Sequence, residues 1–117
     1  MALQAATDSD WAAIAGRAPP GAWWGYVEAR PHFIEGFGAI YQAADGRWWL
    51  TFARSPGITK TKSAHAGAKR LLADAAEKGI TVHVLADPRI DGAEMWVERL
   101  GFRRSGEKLE GLDVWTR

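Results

Sequence analysis

Between Gly46 and Ala73 the chain carries Arg47, Arg54, Lys60, Lys62, Lys69 and Arg70 and not one Asp or Glu. In a protein of net charge +1, such a local basic zone fits one anionic ligand site better than a general face for polyanions. The competing reading is a solvated charge run balanced by acids elsewhere in space. A nucleic-acid-binding module built on Arg47 to Arg70 and exposed tryptophans is a further alternative, and the near-neutral total charge argues against it. Cysteine is absent, which excludes disulfides, Cys-ligated zinc and thiol chemistry.

Punctuation and hydrophobic period divide the chain into elements that must position these cations. Thr7-Asp8-Ser9-Asp10 ahead of Trp11, Ile14, Ala15 and Ala18 predicts a capped helix, with a short strand over Leu3 to Ala6 before it and Pro19-Pro20-Gly21 as its stop. Three β-type runs follow: Trp23 to Arg30, Phe33 to Gln42 and Arg47 to Arg54. Gly36 and Gly38 mark a bulge or close approach, and Asp45-Gly46 is a hairpin turn, so the runs form an antiparallel meander. A helix from Ser63 to Lys78 presents Ala68, Leu71, Leu72 and Ala75 on one face, with Asp74 four residues before Lys78 as a supporting pair and Gly79 as its stop. Ile80 to Ala86 is a strand made parallel to its predecessor by that helical crossover. Asp91 with Glu94 reads as the capping box of a last helix, whose buried stripe is Ala93, Trp96, Val97 and Leu100. A closing hairpin turns at Glu110-Gly111.

With 117 residues the chain makes one domain, 1–117, of α/β (α+β) class with a mixed sheet and helices upon it. Seven tryptophans include the doublets Trp23-Trp24 and Trp48-Trp49. Adjacent strand residues face opposite ways, so each doublet implies a sheet covered on both sides. No apolar run reaches the roughly 20 residues that cross a bilayer. The N-terminus lacks the pattern of a signal peptide, so no membrane partner and a cytoplasmic location are expected.

The phrase Ala93-Glu94-Met95-Trp96-Val97-Glu98-Arg99-Leu100-Gly101-Phe102 resembles the "A-x-x-F-Y-E-K-L-G-F" signature that closes the GNAT N-acetyltransferases. Three further phrases are similar to that family in the same order: Leu3 to Trp11, Gly36 to Tyr41, and Arg70 to Ile80 with its "R-x-L-L-x-A-A-E-x-x-G" pattern. The resemblance spans the chain, with most of the usual second helix missing, and this abbreviated shape is similar to small GNAT-like proteins of tailed phages. It implies a mixed, mostly antiparallel sheet of six or seven strands flanked by about three helices. It also implies acetyl-CoA as acyl donor and a small-molecule or protein amine as acceptor.

The family's cofactor loop, "Q/R-x-x-G-x-G/A", falls on Ser63-Ala64-His65-Ala66-Gly67-Ala68. Only Ala68 fits the pattern; Ser63 replaces Gln or Arg, and Ala66 replaces glycine. Backbone N–H groups at such a helix start face a diphosphate, with Lys60 and Lys62 beside it and Lys69 or Arg70 near the adenosine phosphate. His65 reads as a polar helix-start residue rather than a catalyst. The resemblance places polarisation of the acetyl carbonyl on a backbone N–H within Phe52, Ala53 and Arg54. The family's proton-donating tyrosine is Val97 here, and no metal is implied. His83 and Asp87 are the base candidates for taking the amine proton, against solvent-facing or turn-capping roles. A GNAT-like domain that has lost catalysis and serves as a binding or structural protein is the alternative.

Overall fold

The computed structural model describes residues 4–30, 33–54, 62–89 and 92–117. Their order is β1 (Gln4–Ala5), α1 (Asp8–Ala15), β2 (Trp23–Arg30), β3 (Phe33–Gln42), β4 (Trp48–Arg54), α2 (Lys62–Glu77), β5 (Val82–Ala86), α3 (Ala93–Arg99), β6 (Arg103–Leu109) and β7 (Leu112–Thr116). The strands form one seven-stranded sheet in the order β1-β2-β3-β4-β5-β7-β6. Among the described residues only β4 and β5 run parallel, joined through α2; the other pairings are antiparallel.

Cross-strand partners share a face, and the register sorts the aromatics accordingly. Trp23, Tyr41, Trp49, His83 and Thr116 are successive partners across β2, β3, β4, β5 and β7. That face carries α1, whose Trp11 packs on Trp23, Phe37 and Tyr41 with ring centroids 5.1–5.8 Å away. The opposite face carries α2 and α3. There Ala68, Leu71, Leu72 and Ala75 are all 2% exposed or less, packed in one core with Ile40, Leu50, Val82, Val97 and Leu100. Burying a leucine this fully is worth about 1.5–3 kcal/mol, so α2 is held mainly by its apolar stripe. The doublets split as expected, with Trp24 and Trp48 on the α2 side and Trp23 on the α1 side.

Local signals explain most boundaries. Thr7 Oγ1 accepts from the Asp10 N–H at 3.3 Å, while the Asp10 carboxylate accepts from the Thr7 N–H at 2.9 Å, a complete capping box. Glu28 pairs with Gly36 and Ala29 with Ile34, which leaves Glu35 as the extra residue of a bulge. Gly38 brings the backbone against the Phe52 ring and Leu71.

Some sequence expectations change. Helix α1 stops at Gly16, with φ 73°, before the prolines act, because the glycine takes the left-handed cap at no steric cost. Asp74 does not pair with Lys78. Its carboxylate accepts the Tyr26 hydroxyl at 2.8 Å, and Lys78 Nζ lies 3.8 Å from the Trp24 ring centre. The N-cap of α3 is Gly92, without a side-chain cap; Asp91 lies outside the described residues, and Glu94 pairs instead with Arg104.

Candidate active site

Strands β4 and β5 are paired at only two positions, Trp48 with Val82 and Trp49 with His83. Beyond them, Leu50 to Arg54 pair with β3 alone, while Val84 to Ala86 pair with β7 alone. The parallel ladder therefore opens into a wedge, and its apex is the Trp49–His83 pair. Among the described residues, backbone groups on the β5-facing side of β4 past this apex have no strand partner.

On the α2/α3 side three side chains meet across this wedge. The Phe52 ring meets Trp96 edge-on with centroids 4.7 Å apart. The Trp96 indole N–H donates to His65 Nδ1 at 3.1 Å. An indole can only donate, so His65 Nδ1 is the acceptor of this bond. Val97, beside Trp96, is 3% exposed and belongs to the apolar core.

His83 lies at the apex on the α1 side. Its ring packs 5.4 Å from Trp49, and Nδ1 is 3.2 Å from Thr116 Oγ1. Arg47 lies over the same Trp49 at 5.0 Å and binds Asp45 at 2.8 Å and Glu107 at 2.7 Å. Glu107 comes from β6, with β5 and β7 in between. It reaches Arg47 where the β6–β7 register breaks between Arg104 and Lys108. Burial pushes the His83 imidazole below its ordinary range, and the Arg47 guanidinium lowers it further; Glu107 and Asp45 act in the opposite sense. His83 is thus neutral at pH 7 and able to accept a proton.

Asp87 is arranged differently. Its carboxylate caps the turn by accepting the Arg89 N–H at 2.9 Å and holds the Arg89 side chain at 2.8 Å. Those hydrogen bonds hold it below the usual carboxylate range, which weakens it as a proton acceptor.

By sequence, no family model and no curated protein matches the chain. By structure, it superposes on a protein from Bordetella pertussis assigned to the GNAT-family acetyltransferases, with TM-score 0.62 and 16% identity, covering 81% of this chain and 62% of that one. A GNAT-family acetyltransferase from Bacillus anthracis gives TM-score 0.55 at 13% identity over 80% of this chain and 63% of its own. The chain has the GNAT fold. It spans less than two thirds of the length of these structures.

On this GNAT scaffold the expected site residues fall in several places. Phe52 is in the wedge, and Ala53 and Arg54 continue β4 past it. Lys62, Ser63, Ala64, His65, Ala66, Gly67 and Ala68 form the opening turns of α2. Lys60 lies outside the described residues; of Ala53, Arg54, Lys62, Ser63 and Ala64 the backbone alone is described. Gly67 and Ala68 are buried, so they serve the contact between α2 and the sheet.

The described side chains Arg47 and Arg70 of the basic zone do not share a site. Arg47 sits before β4, at the end remote from Arg54, and is engaged by two carboxylates. Arg70 lies 4.4 Å over the Tyr26 ring. An open groove of about 670 Å³ lies elsewhere, lined by Glu94, Glu98, Arg103, Arg104 and Trp115. Glu94 and Glu98 are on the helix face turned away from Trp96, so this groove is separate from the wedge. The sequence reading missed the contact of Trp96 with His65 and that of Thr116 with His83. The first partners are 31 residues apart and the second 33, and no local pattern joins them.

Proposed function

We propose that the chain is an acetyl-CoA-dependent N-acetyltransferase acting on a small-molecule or protein amine, working in the cytoplasm. The parting of β4 from β5 after Trp49–His83 carries this reading. It leaves a strand edge for the pantetheine arm beside the start of α2, whose amides suit a diphosphate. Phe52, Ala53 and Arg54 of β4, with Lys60, Lys62 and the turn from Ser63 to Ala68, would hold the donor. Acetyl-CoA supplies a thioester carbonyl carbon to the amine. A backbone N–H of β4 steadies the oxygen as charge develops on it. His83 takes the proton that the amine must lose, directly or through one water, as its neutral state at pH 7 allows. With Val97 in the tyrosine position, no protein acid is assigned to the departing thiolate. A thiol is acidic enough to leave as its anion and take a proton from solvent.

A second reading has a specific observation behind it. Phe52, Trp96 and His65 meet where the arm would run, and Val97 replaces the tyrosine. A GNAT-fold domain without catalysis, serving as a binding or structural protein, is consistent with both. Calorimetric titration with acetyl-CoA and CoA tests the transferase reading, and absence of binding at high micromolar concentration removes it. Amine-dependent release of CoA from acetyl-CoA then separates the readings, because only the enzyme produces it.

A further inference from the structure

We infer that Thr116 is a positioning residue that holds His83 with its ring proton on Nδ1, so that Nε2 is the nitrogen that receives the proton. The inference rests on the reading of His83 as the base. His83 and Thr116 are direct partners on the adjacent strands β5 and β7. Their side chains therefore project from the same face, and Nδ1 lies 3.2 Å from Oγ1. On the other flank the ring packs against Trp49. Held between β4 and β7, the imidazole has Nδ1 beside Thr116, while Nε2, the nitrogen farther from the main chain, has no hydrogen-bond partner among the described residues.

A threonine hydroxyl can accept or donate, and the two cases differ chemically. Were Thr116 to donate to Nδ1, Nε2 would carry the proton and could not take another, and the ring would have to break that bond on becoming charged. With Nδ1–H donated to Oγ1, Nε2 gains a proton from the amine nitrogen while the Nδ1–H···Oγ1 bond is kept. No side chain need move. The charged groups facing this ring are Arg47 and Asp45, ahead of β4, and Glu107 from β6. They set how readily the ring charges, and Thr116 sets which nitrogen does so.

Long-range nitrogen–proton NMR on the full chain, above the pH at which His83 titrates, reads the tautomer without any substrate. The wild type and Thr116→Ser are expected to show the proton on Nδ1, and Thr116→Val to shift it to Nε2. A wild-type ring protonated on Nε2, or a Thr116→Val ring unchanged from wild type, overturns the proposal. If Thr116→Val does not fold, the wild-type and Thr116→Ser spectra still decide. In a transfer assay, Thr116→Val should lower kcat at least tenfold with KM for acetyl-CoA unchanged, within the roughly 10²–10⁴-fold that a general base contributes. Thr116→Ser should recover most of it. Failure of the wild type to bind acetyl-CoA would sink the transferase reading, while the tautomer measurement would still judge Thr116.

Discussion

Trp96 on α3 donates its indole N–H to His65 Nδ1 on the first turns of α2, 3.1 Å away. The bond ties the closing phrase of the sequence to the opening of the long helix across the wedge between β4 and β5. Phe52 completes the contact from the strand side.

Replacing Trp96 with Phe keeps a ring against Phe52 but leaves His65 Nδ1 without its donor. Loss of one neutral, part-buried hydrogen bond should cost about 0.5–1.5 kcal/mol. Urea unfolding of Trp96→Phe, His65→Ala and the double variant measures this as a coupling energy. If these changes simply add, the two residues do not cooperate and the bond contributes nothing.

The environment of His83 predicts a pH dependence of stability. Its folded-state value is lowered from the ordinary 6.5 by burial and then by Arg47, so the unfolded chain binds the proton more readily. The stability it contributes is present above about pH 6.5 and is lost as pH falls through the lowered folded value. His83→Gln should flatten the urea midpoint against pH in that window. Removing the guanidinium in Arg47→Gln should move the His83 titration upward, whereas Glu107→Gln should move it downward. NMR titration reads both signs, and the same direction for both would contradict the arrangement of charges.

Placing at Val97 the tyrosine that the sequence resemblance puts there should not be benign. Val97 is 3% exposed and packs within the core that contains Ala68, Leu71 and Leu100. Val97→Tyr adds a ring and a hydroxyl there, and overpacking costs about 1–3 kcal/mol. A lowered urea midpoint without a gain in acetyl transfer is expected. An unchanged midpoint would mean that the core around α3 has room for the ring.

The β2–β3 contact makes a similar demand on the sheet. A Cβ on Gly25 would lie 2.4 Å from the Gly38 carbonyl oxygen and 3.0 Å from Ala39 Cβ. Backbone cannot yield as a flexible side chain does, so Gly25→Ala should destabilise by about 1–3 kcal/mol. Ala13→Ser on the exposed side of α1 should stay within about 0.5 kcal/mol. Thermal unfolding of the two variants compares them, and equal melting temperatures would refute the steric account.

Much of the scaffold was legible because its signals are local. The helix start at Thr7 to Asp10, the Asp45-Gly46 and Glu110-Gly111 turns, and the stripe from Ala68 to Ala75 each lie within a few residues, and each appears in the structure. The fates of Asp74 and Lys78 were not legible. Their helical spacing suits a pair, but Tyr26 and Trp24, more than 40 residues earlier, offered partly buried partners that outcompete an exposed ion pair. The same limit hid the dispersal of the basic zone, since Arg47 and Arg54 are close in sequence yet stand at opposite ends of one strand.

Composition, turns and hydrophobic period determined the order of elements, the parallel crossover through α2 and the two-sided sheet, because short-range sterics and side-chain alternation act along the chain. Only the tertiary structure decided where β4 leaves β5, that His83 stands at that apex with Thr116, and that Trp96 reaches His65. The first two follow from how β5 pairs with β4 and β7, and the third arises when α2 and α3 bury their apolar stripes on the same sheet face and bring distant residues within hydrogen-bonding range. No spacing in the sequence encodes that distance.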